Sequence, residues 1–417
     1  MNEITPLPKE FRVPAEWEPQ EAVYLAACRC NEFDPSQFAQ GNKSVLDVQL
    51  QMIQALVDVV QVRIIASPHQ KNRYLTALKE AKIDPSRVEF IKVPHCDIWL
   101  RDTGPIWAHS ATELTSIWLG FNNWGYYEFI EGQWADCDIP NYLPRNLAEE
   151  IDANCFRTPL MVEGGDKSFN GLGSLICCKA VEKNRNPSLS LSELEMLLKA
   201  SFNVSNIIWV DHGLADDTLT FQTHANFDNA NLPGGVYTPL CTGGHVDEFC
   251  RFVGSSTVLL ADVHSSRLCN MSEIEQITHR NLSEDLFMLQ QQTDQYGQPL
   301  EIVRMPLPPN MIYSVDQRDP IYSTIRELKG VNVDGPIKVI LAASYCNYLI
   351  SNGVICFPQY YLPGMAPIFK EIDEEAFSII SSLFPKHKII PINPRPVNAG
   401  GGGMHCISNN QPKIGGL

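Results

Sequence analysis

Apolar residues recur along this chain in two alternating rhythms. Short runs of unbroken or period-two apolar character read as strands: Ala22-Val-Tyr-Leu-Ala, Val62-Arg-Ile-Ile-Ala and Val88-Glu-Phe-Ile-Lys-Val. Between them, Val48 to Val60 and Tyr74 to Ala81 carry apolar positions at helical spacing. The alternation continues with Ser174-Leu-Ile-Cys, a helix from Ser190 to Lys199 with Ser192 and Glu195 in capping-box register, and Asn206-Ile-Ile-Trp-Val. Val258-Leu-Leu-Ala precedes a helix over Glu273 to Thr293, Glu301-Ile-Val-Arg-Met follows, and Val339 to Ala343 and Gly353-Val-Ile-Cys-Phe lead to a helix near Glu374 to Leu383. Such units recur about every 70 to 80 residues with no linker between them. The pattern predicts one domain, 1–417, of repeated α/β units whose active residues meet at a shared centre. Asn229 to Gly244 and Pro306 to Asn310, rich in Pro and Gly, read as loops.

Four segments at the ends of strand-like runs carry chemistry. Gly400-Gly-Gly-Gly-Met-His405-Cys406 brings backbone close to whatever a following thiol attacks, because glycine has no side chain to block a ligand. The alternative is a tail with a buried cysteine, one of the most buried residue types. In Gly243-Gly244-His245-Val246-Asp247, an extended backbone would turn His245 and Asp247 to one face, and a structural histidine beside a solvated acid is the alternative. Asp97-Ile-Trp99-Leu-Arg101-Asp102-Thr-Gly104-Pro105 and Met161-Val-Glu163-Gly164-Gly165-Asp166 each end an apolar stretch with an acid and a turn. Together they suggest a nucleophile, an imidazole and several carboxylates converging.

Composition narrows the partners. The 417 residues are 44% hydrophobic and 19% charged, as in an ordinary globular protein. Against 32 basic residues stand 48 acidic ones, for a net charge of −16. That balance disfavours nucleic acid and anionic membranes and draws cations inward, although an acidic surface also serves solubility. The start of the chain lacks the basic and apolar regions of a signal peptide, and no stretch reaches the ~18 apolar residues of a membrane span. A cytoplasmic protein is expected. The 13 cysteines follow no framework, and the adjacent Cys177-Cys178 pair reads as reduced thiols. His245, Asp247, His405 and Cys406 could be imagined around zinc, but no CxxC or HExxH spacing supports it, so no metal and no cofactor is expected.

In this order, the motifs resemble those of the agmatine deiminase family, within the guanidino-group-modifying superfamily, over nearly the whole chain. Pro14-Ala-Glu-Trp17-Glu18-Pro19 is similar to the family's opening signature. Trp99-Leu-Arg101-Asp102-Thr-Gly-Pro, Glu163-Gly-Gly, Asn184-Arg-Asn-Pro187, Gly244-His245-Val-Asp247, Ala343-Ser-Tyr345-Cys-Asn347 with Asn352, and Gly401-Gly-Gly-Met-His405-Cys406 complete the series. The resemblance implies a five-bladed α/β propeller of ββαβ units, the pentein fold, with the site in its central channel. It further implies deimination of a cationic guanidine, agmatine first, to N-carbamoylputrescine and ammonia, as in polyamine (putrescine) formation. A peptidyl-arginine or other arginine derivative is the alternative substrate, and amidino transfer or a catalytically inactive guanidine-binding protein stands behind that. A homodimer is compatible with it.

By resemblance, Cys406 is the nucleophile, His245 the acid and then the base, and Glu163 the group that orients His245. Asp102 and Asp247 would clamp the guanidinium, whose planar N–H groups fit carboxylates in forked pairs. Trp99 would pack on the substrate, Asp217 and Gly403 would complete the binding set, and His405 is structural. The chain departs from the family at Gln20, where a His is usual, at Ala27-Cys28 in place of Trp-Pro, at Asn170 in place of Asp, and at Ser408-Asn409-Asn410 in place of Thr-Gln-Gln. Leu219 to Thr242 reads as an inserted loop after Asp216-Asp217-Thr218. These departures are expected where the substrate tail is read.

Overall fold

The computed structural model describes residues 6–29, 41–95, 97–120, 139–218, 220, 223–224, 236–317, 322, 325 and 335–415. The strand Gln20–Ala26, buried along nearly its whole length, has Gln61–Ile65 parallel on one side and Ser408–Pro412 antiparallel on the other. Its unbroken apolar run is what a strand covered on both faces requires. Val88–Ile91 extends the sheet beyond Gln61–Ile65.

Four further sheets repeat the scheme of an antiparallel pair followed by a parallel partner. They are Ile106–His109, Leu114–Gly120 and Asn154–Met161; Ser168–Phe169, Ser174–Cys178 and Asn206–Val210; Cys250–Phe252, Thr257–Val263 and Glu301–Leu307; and Leu349–Ser351, Val354–Pro358 and Lys388–Ile392. A parallel step needs a crossover. The helices Ile139–Glu150, Leu191–Phe202, Glu273–Leu289 and Pro367–Leu383 supply it in the four units in turn, and Val45–Leu56 does so between Gln20–Ala26 and Gln61–Ile65. One more sheet, ordered Thr223–His224, Val236–Tyr237, Ile337–Ile340 and Ile312–Val315, lies outside this scheme. Most of the expected insertion from Leu219 to Thr242 falls outside the described residues; its described parts pair Thr223 with Tyr237 and Tyr237 with Val339.

Capping chemistry sets the helix boundaries and moves several from their expected positions. Ser44 and Asp47 cap each other's backbone at Val45–Leu56, and Ser67 and Gln70 do so at Pro68–Glu80, so both helices begin before their apolar stripes. At Leu191–Phe202 the box is Ser190 with Glu193, not Ser192 with Glu195; Glu195 instead meets Lys199 at 2.6 Å. Pro306 and Leu307, expected in a loop, finish Glu301–Leu307. That strand is at a sheet edge, where a missing N–H costs no ladder bond. Among the described residues no helix is long and apolar enough to cross a membrane.

Candidate active site

Each of the five repeated units is preceded by a turn, and each turn carries a polar side chain of the site. Leu100–Thr103, with Asp102, leads into Ile106–His109. Glu163 begins the turn Gly164–Asp166 before Ser168–Phe169, and His245 begins Val246–Glu248 before Cys250–Phe252. Asn347 precedes Leu349–Ser351, and Cys406 lies in the turn ahead of Ser408–Pro412. The extended backbone expected from His245 to Asp247 is instead a 3-10 turn. With three residues per turn, positions two apart diverge, so the two side chains meet different partners.

His245 is wholly buried, with Nδ1 3.5 Å from Asp102 Oδ1 and Nε2 3.6 Å from Glu163 Oε2. Arg185 Nε donates to Glu163 Oε1 at 2.7 Å, fixing that carboxylate. Burial alone would lower the His245 pKa, but Asp102 and Glu163 outweigh it and raise it to about 9. Burial acts against ionised Glu163 too, yet Arg185 and His245 hold it down at about 2. Asp102 is pushed up to about 7 by burial, with His245 opposing and Asp247 and Glu163 adding to the rise. Gly165 donates its N–H to Asp102 Oδ1 at 2.8 Å. A Cβ there would lie 2.6 Å from His245 Nδ1, 2.7 Å from Asp102 Oδ1 and 3.2 Å from Asp247 Oδ2, so only glycine lets the three converge.

Cys406, 3% exposed, has its Sγ 3.4 Å from Asp247 Oδ2, 3.5 Å from Glu248 Oε1 and 3.0 Å from Asn347 Nδ2. Burial first, then Asp247, Glu248 and Asp102, push its thiol well above the usual value, and a backbone hydrogen bond from Gly403 works the other way. His405 meets Asp247 Oδ2 at 2.8 Å through Nδ1 and Glu16 Oε1 at 2.6 Å through Nε2. Glu16 in turn is held by Arg101 at 3.1 Å and by Arg251.

The structure thus brings Cys406, His245, Glu163, Asp102 and Asp247 together. Trp99 is buried beside them: a Cβ on Gly402 would sit 2.8 Å from its ring and 3.0 Å from Cys406 Sγ. At Gly403 a Cβ would lie 2.4 Å from Asn347 Oδ1, so this glycine makes room for a side chain of the site. Asp217 is otherwise engaged. Its Oδ1 accepts from Thr242 N at 2.7 Å, and its Oδ2 from Thr242 Oγ1 at 2.6 Å, Gly244 N at 3.1 Å and His245 N at 3.2 Å, which binds the loop that carries His245. Gln20 and Asn170, expected at the substrate tail, bracket backbone instead. Gln20 donates to Ile350 O at 3.1 Å, and Asn170 to Ser255 O at 2.7 Å.

Glu16, Glu248 and Asn347 went unassigned from sequence, although Glu16 and Asn347 stand inside motifs quoted for the resemblance. Asp247, Glu248 and Cys406 each place a ligand atom within 4.8 Å of the others, a grouping that could hold a metal ion. The donor set fits one poorly, because Asn347 Nδ2 points its hydrogens at Cys406 Sγ and, at 2.8 Å, at Glu248 Oε1.

A family model described as Porphyromonas-type peptidyl-arginine deiminase matches residues 12–231 and 230–412. An agmatine deiminase of Pseudomonas aeruginosa (strain LESB58) is 29% identical over 419 residues, covering 98% of this chain and 97% of the relative. The structure of Enterococcus faecalis agmatine deiminase aligns with a TM-score of 0.74 at 22% identity, covering 99% of both chains. A cysteine-to-serine variant of C. jejuni agmatine deiminase with substrate bound aligns at 0.66 and 19% identity, over 97% of this chain and 96% of its own. These likenesses establish the α/β pentein fold.

Proposed function

Because the chain belongs to the Porphyromonas-type peptidyl-arginine deiminase family, we propose that it hydrolyses a C–N bond of a free guanidine, agmatine, to N-carbamoylputrescine and ammonia through a covalent adduct on Cys406. The relatives named agmatine deiminase over nearly the full length support the substrate. The observation that carries the chemistry is a buried thiol 3.4 Å from a carboxylate whose Oδ1 is buried and has no hydrogen-bond partner among the described residues. An unsatisfied buried carboxylate oxygen is costly unless a ligand completes it. A planar cation does so.

Asp102 and Asp247 clamp the guanidinium. At ~4 Å from the sulfur, the cation favours the thiolate by about 4 kcal/mol at an effective dielectric of ~20, or ~3 pK units. That acts against burial and the surrounding carboxylates, which raise the thiol, so the substrate promotes ionisation of its own nucleophile. Sulfur attacks the guanidinium carbon, and protonated His245, oriented by Glu163, gives its proton to the departing nitrogen, leaving a thiouronium on Cys406. His245 then takes a proton from water as it attacks, the C–S bond breaks, and thiol and urea product are released. Asp217 acts through the loop it braces, as a positioning residue.

A small substrate is favoured over an arginine within a peptide, because the residue that carries the nucleophile is only 3% exposed. The five repeated units and the pairing of the last strand with the first support a single domain closed as a five-bladed propeller. The cysteines free among the described residues accord with a cytoplasmic setting. A panel of agmatine, arginine, N-acylarginine and peptidyl-arginine, scored for ureido product and ammonia, tests the proposal: agmatine should be turned over with the highest kcat/KM. A preference for peptidyl-arginine would replace the substrate and keep the chemistry.

A further inference from the structure

Four of the five turns supply Asp102, Glu163, Asp247 and Cys406, and the fifth supplies Asn347. We propose that the side-chain amide of Asn347 is a catalytic group, donating a hydrogen bond to the Cys406 sulfur and stabilising the thiolate both before attack and when it is released from the adduct. The inference rests on Cys406 being the nucleophile.

The amide has one orientation. Its Oδ1 accepts the backbone N–H of His405 at 2.8 Å and lies 3.4 Å from the N–H of Cys406, so the NH2 must face the other way. There it meets two acceptors with its two hydrogens: Cys406 Sγ at 3.0 Å and Glu248 Oε1 at 2.8 Å. Asp247 and Glu248, also within hydrogen-bond reach of the sulfur, are carboxyl groups, which oppose a thiolate. With the backbone hydrogen bond from Gly403, Asn347 forms a two-donor cradle for the negative sulfur. The site keeps space for it, since a Cβ at Gly403 would overlap its oxygen.

Asn347→Asp separates this role from a purely structural one. Its carboxylate still accepts the His405 N–H, but the donor to sulfur is gone. Iodoacetamide labelling of Cys406 without substrate should be about tenfold slower at neutral pH, and kcat should fall about 100-fold or more while KM changes little. Asn347→Ala should move both in the same direction. Wild-type labelling across pH and wild-type kcat in Asn347→Asp would overturn the proposal. A measurement on the unaltered protein guards against misfolded variants: with asparagine labelled in nitrogen-15, the Asn347 NH2 resonances should shift when Cys406 is alkylated, and unmoved resonances would also overturn it. Should Cys406→Ser retain turnover, the nucleophile reading itself fails; should Cys406 prove essential while Asn347→Asp labels as wild type, this inference fails alone.

Discussion

His405 Nδ1 lies 2.8 Å from Asp247 Oδ2, and this one contact ties the residue before the nucleophile to the carboxylate that faces it. Nε2 of the same ring meets Glu16 Oε1 at 2.6 Å. A fixed chain therefore runs from Arg101 and Arg251 through Glu16 and His405 to Asp247. It holds one oxygen of Asp247 and leaves Oδ1 to the substrate.

Removing either arm of the clamp should weaken guanidine binding as well as chemistry. In a Cys406→Ser background, Asp102→Asn and Asp247→Asn should each lose about 2–5 kcal/mol of agmatine affinity by calorimetry, the scale for truncating a buried, hydrogen-bonded charge partner. Unchanged affinity in either variant contradicts the clamp.

Activity should fall on the alkaline side as His245 loses its proton, and on the acid side as Asp102 gains one. The limbs of kcat/KM are expected near 9 and near 7, the values to which the two groups are shifted. Glu163→Gln removes one of the charges that raise His245, so the alkaline limb should move to lower pH. In stability the signs differ between the two partners. The raised His245 contributes fully below its usual 6.5, and that contribution is lost as pH rises through about 9. The depressed Glu163 contributes above its usual 4.5 and loses its share as pH falls towards about 2. An alkaline limb unmoved in Glu163→Gln sinks the role given to that residue.

Gly403→Ala should injure the site without replacing any ionisable side chain. The new methyl would lie 2.4 Å from Asn347 Oδ1, and the forced shift should cost about 1–3 kcal/mol of stability with a large loss of kcat. Denaturant unfolding and steady-state rates check both parts; a variant with normal kcat would show that the glycine leaves more room than the geometry implies.

Chelation bears on the grouping of Asp247, Glu248 and Cys406. Prolonged treatment with a strong chelator should leave ammonia release unchanged, and elemental analysis should find no stoichiometric transition metal. Activity lost to the chelator and restored by zinc would reassign Cys406 as a ligand.

Much of this site was legible in the sequence, because glycines and acids at strand ends mark places where backbone must come close and charge must converge. Cys406, His245, Glu163, Asp102 and Asp247 were all read that way. The geometry was less legible. Alternation suggested that His245 and Asp247 share a face, but a 3-10 turn sends them to different partners. Asp217 looked like a ligand group because an acid beside a catalytic loop carries the same letter whether it meets substrate or backbone N–H groups. Glu16 meets His405 across a sequence separation of 389, which no local pattern reports. Helix starts slipped for a similar reason: Ser44 and Ser67 lie outside the apolar stripes that announced their helices.

The covalent step on Cys406 is tested most directly by quenching the protein with acid during turnover of agmatine and mapping its peptides by mass spectrometry. The account requires an amidino adduct on the peptide bearing Cys406, formed and consumed at rates no slower than kcat, and no ammonia release by Cys406→Ser. Turnover with no adduct at Cys406, or a Cys406→Ser protein that still releases ammonia at near-normal rate, would contradict it.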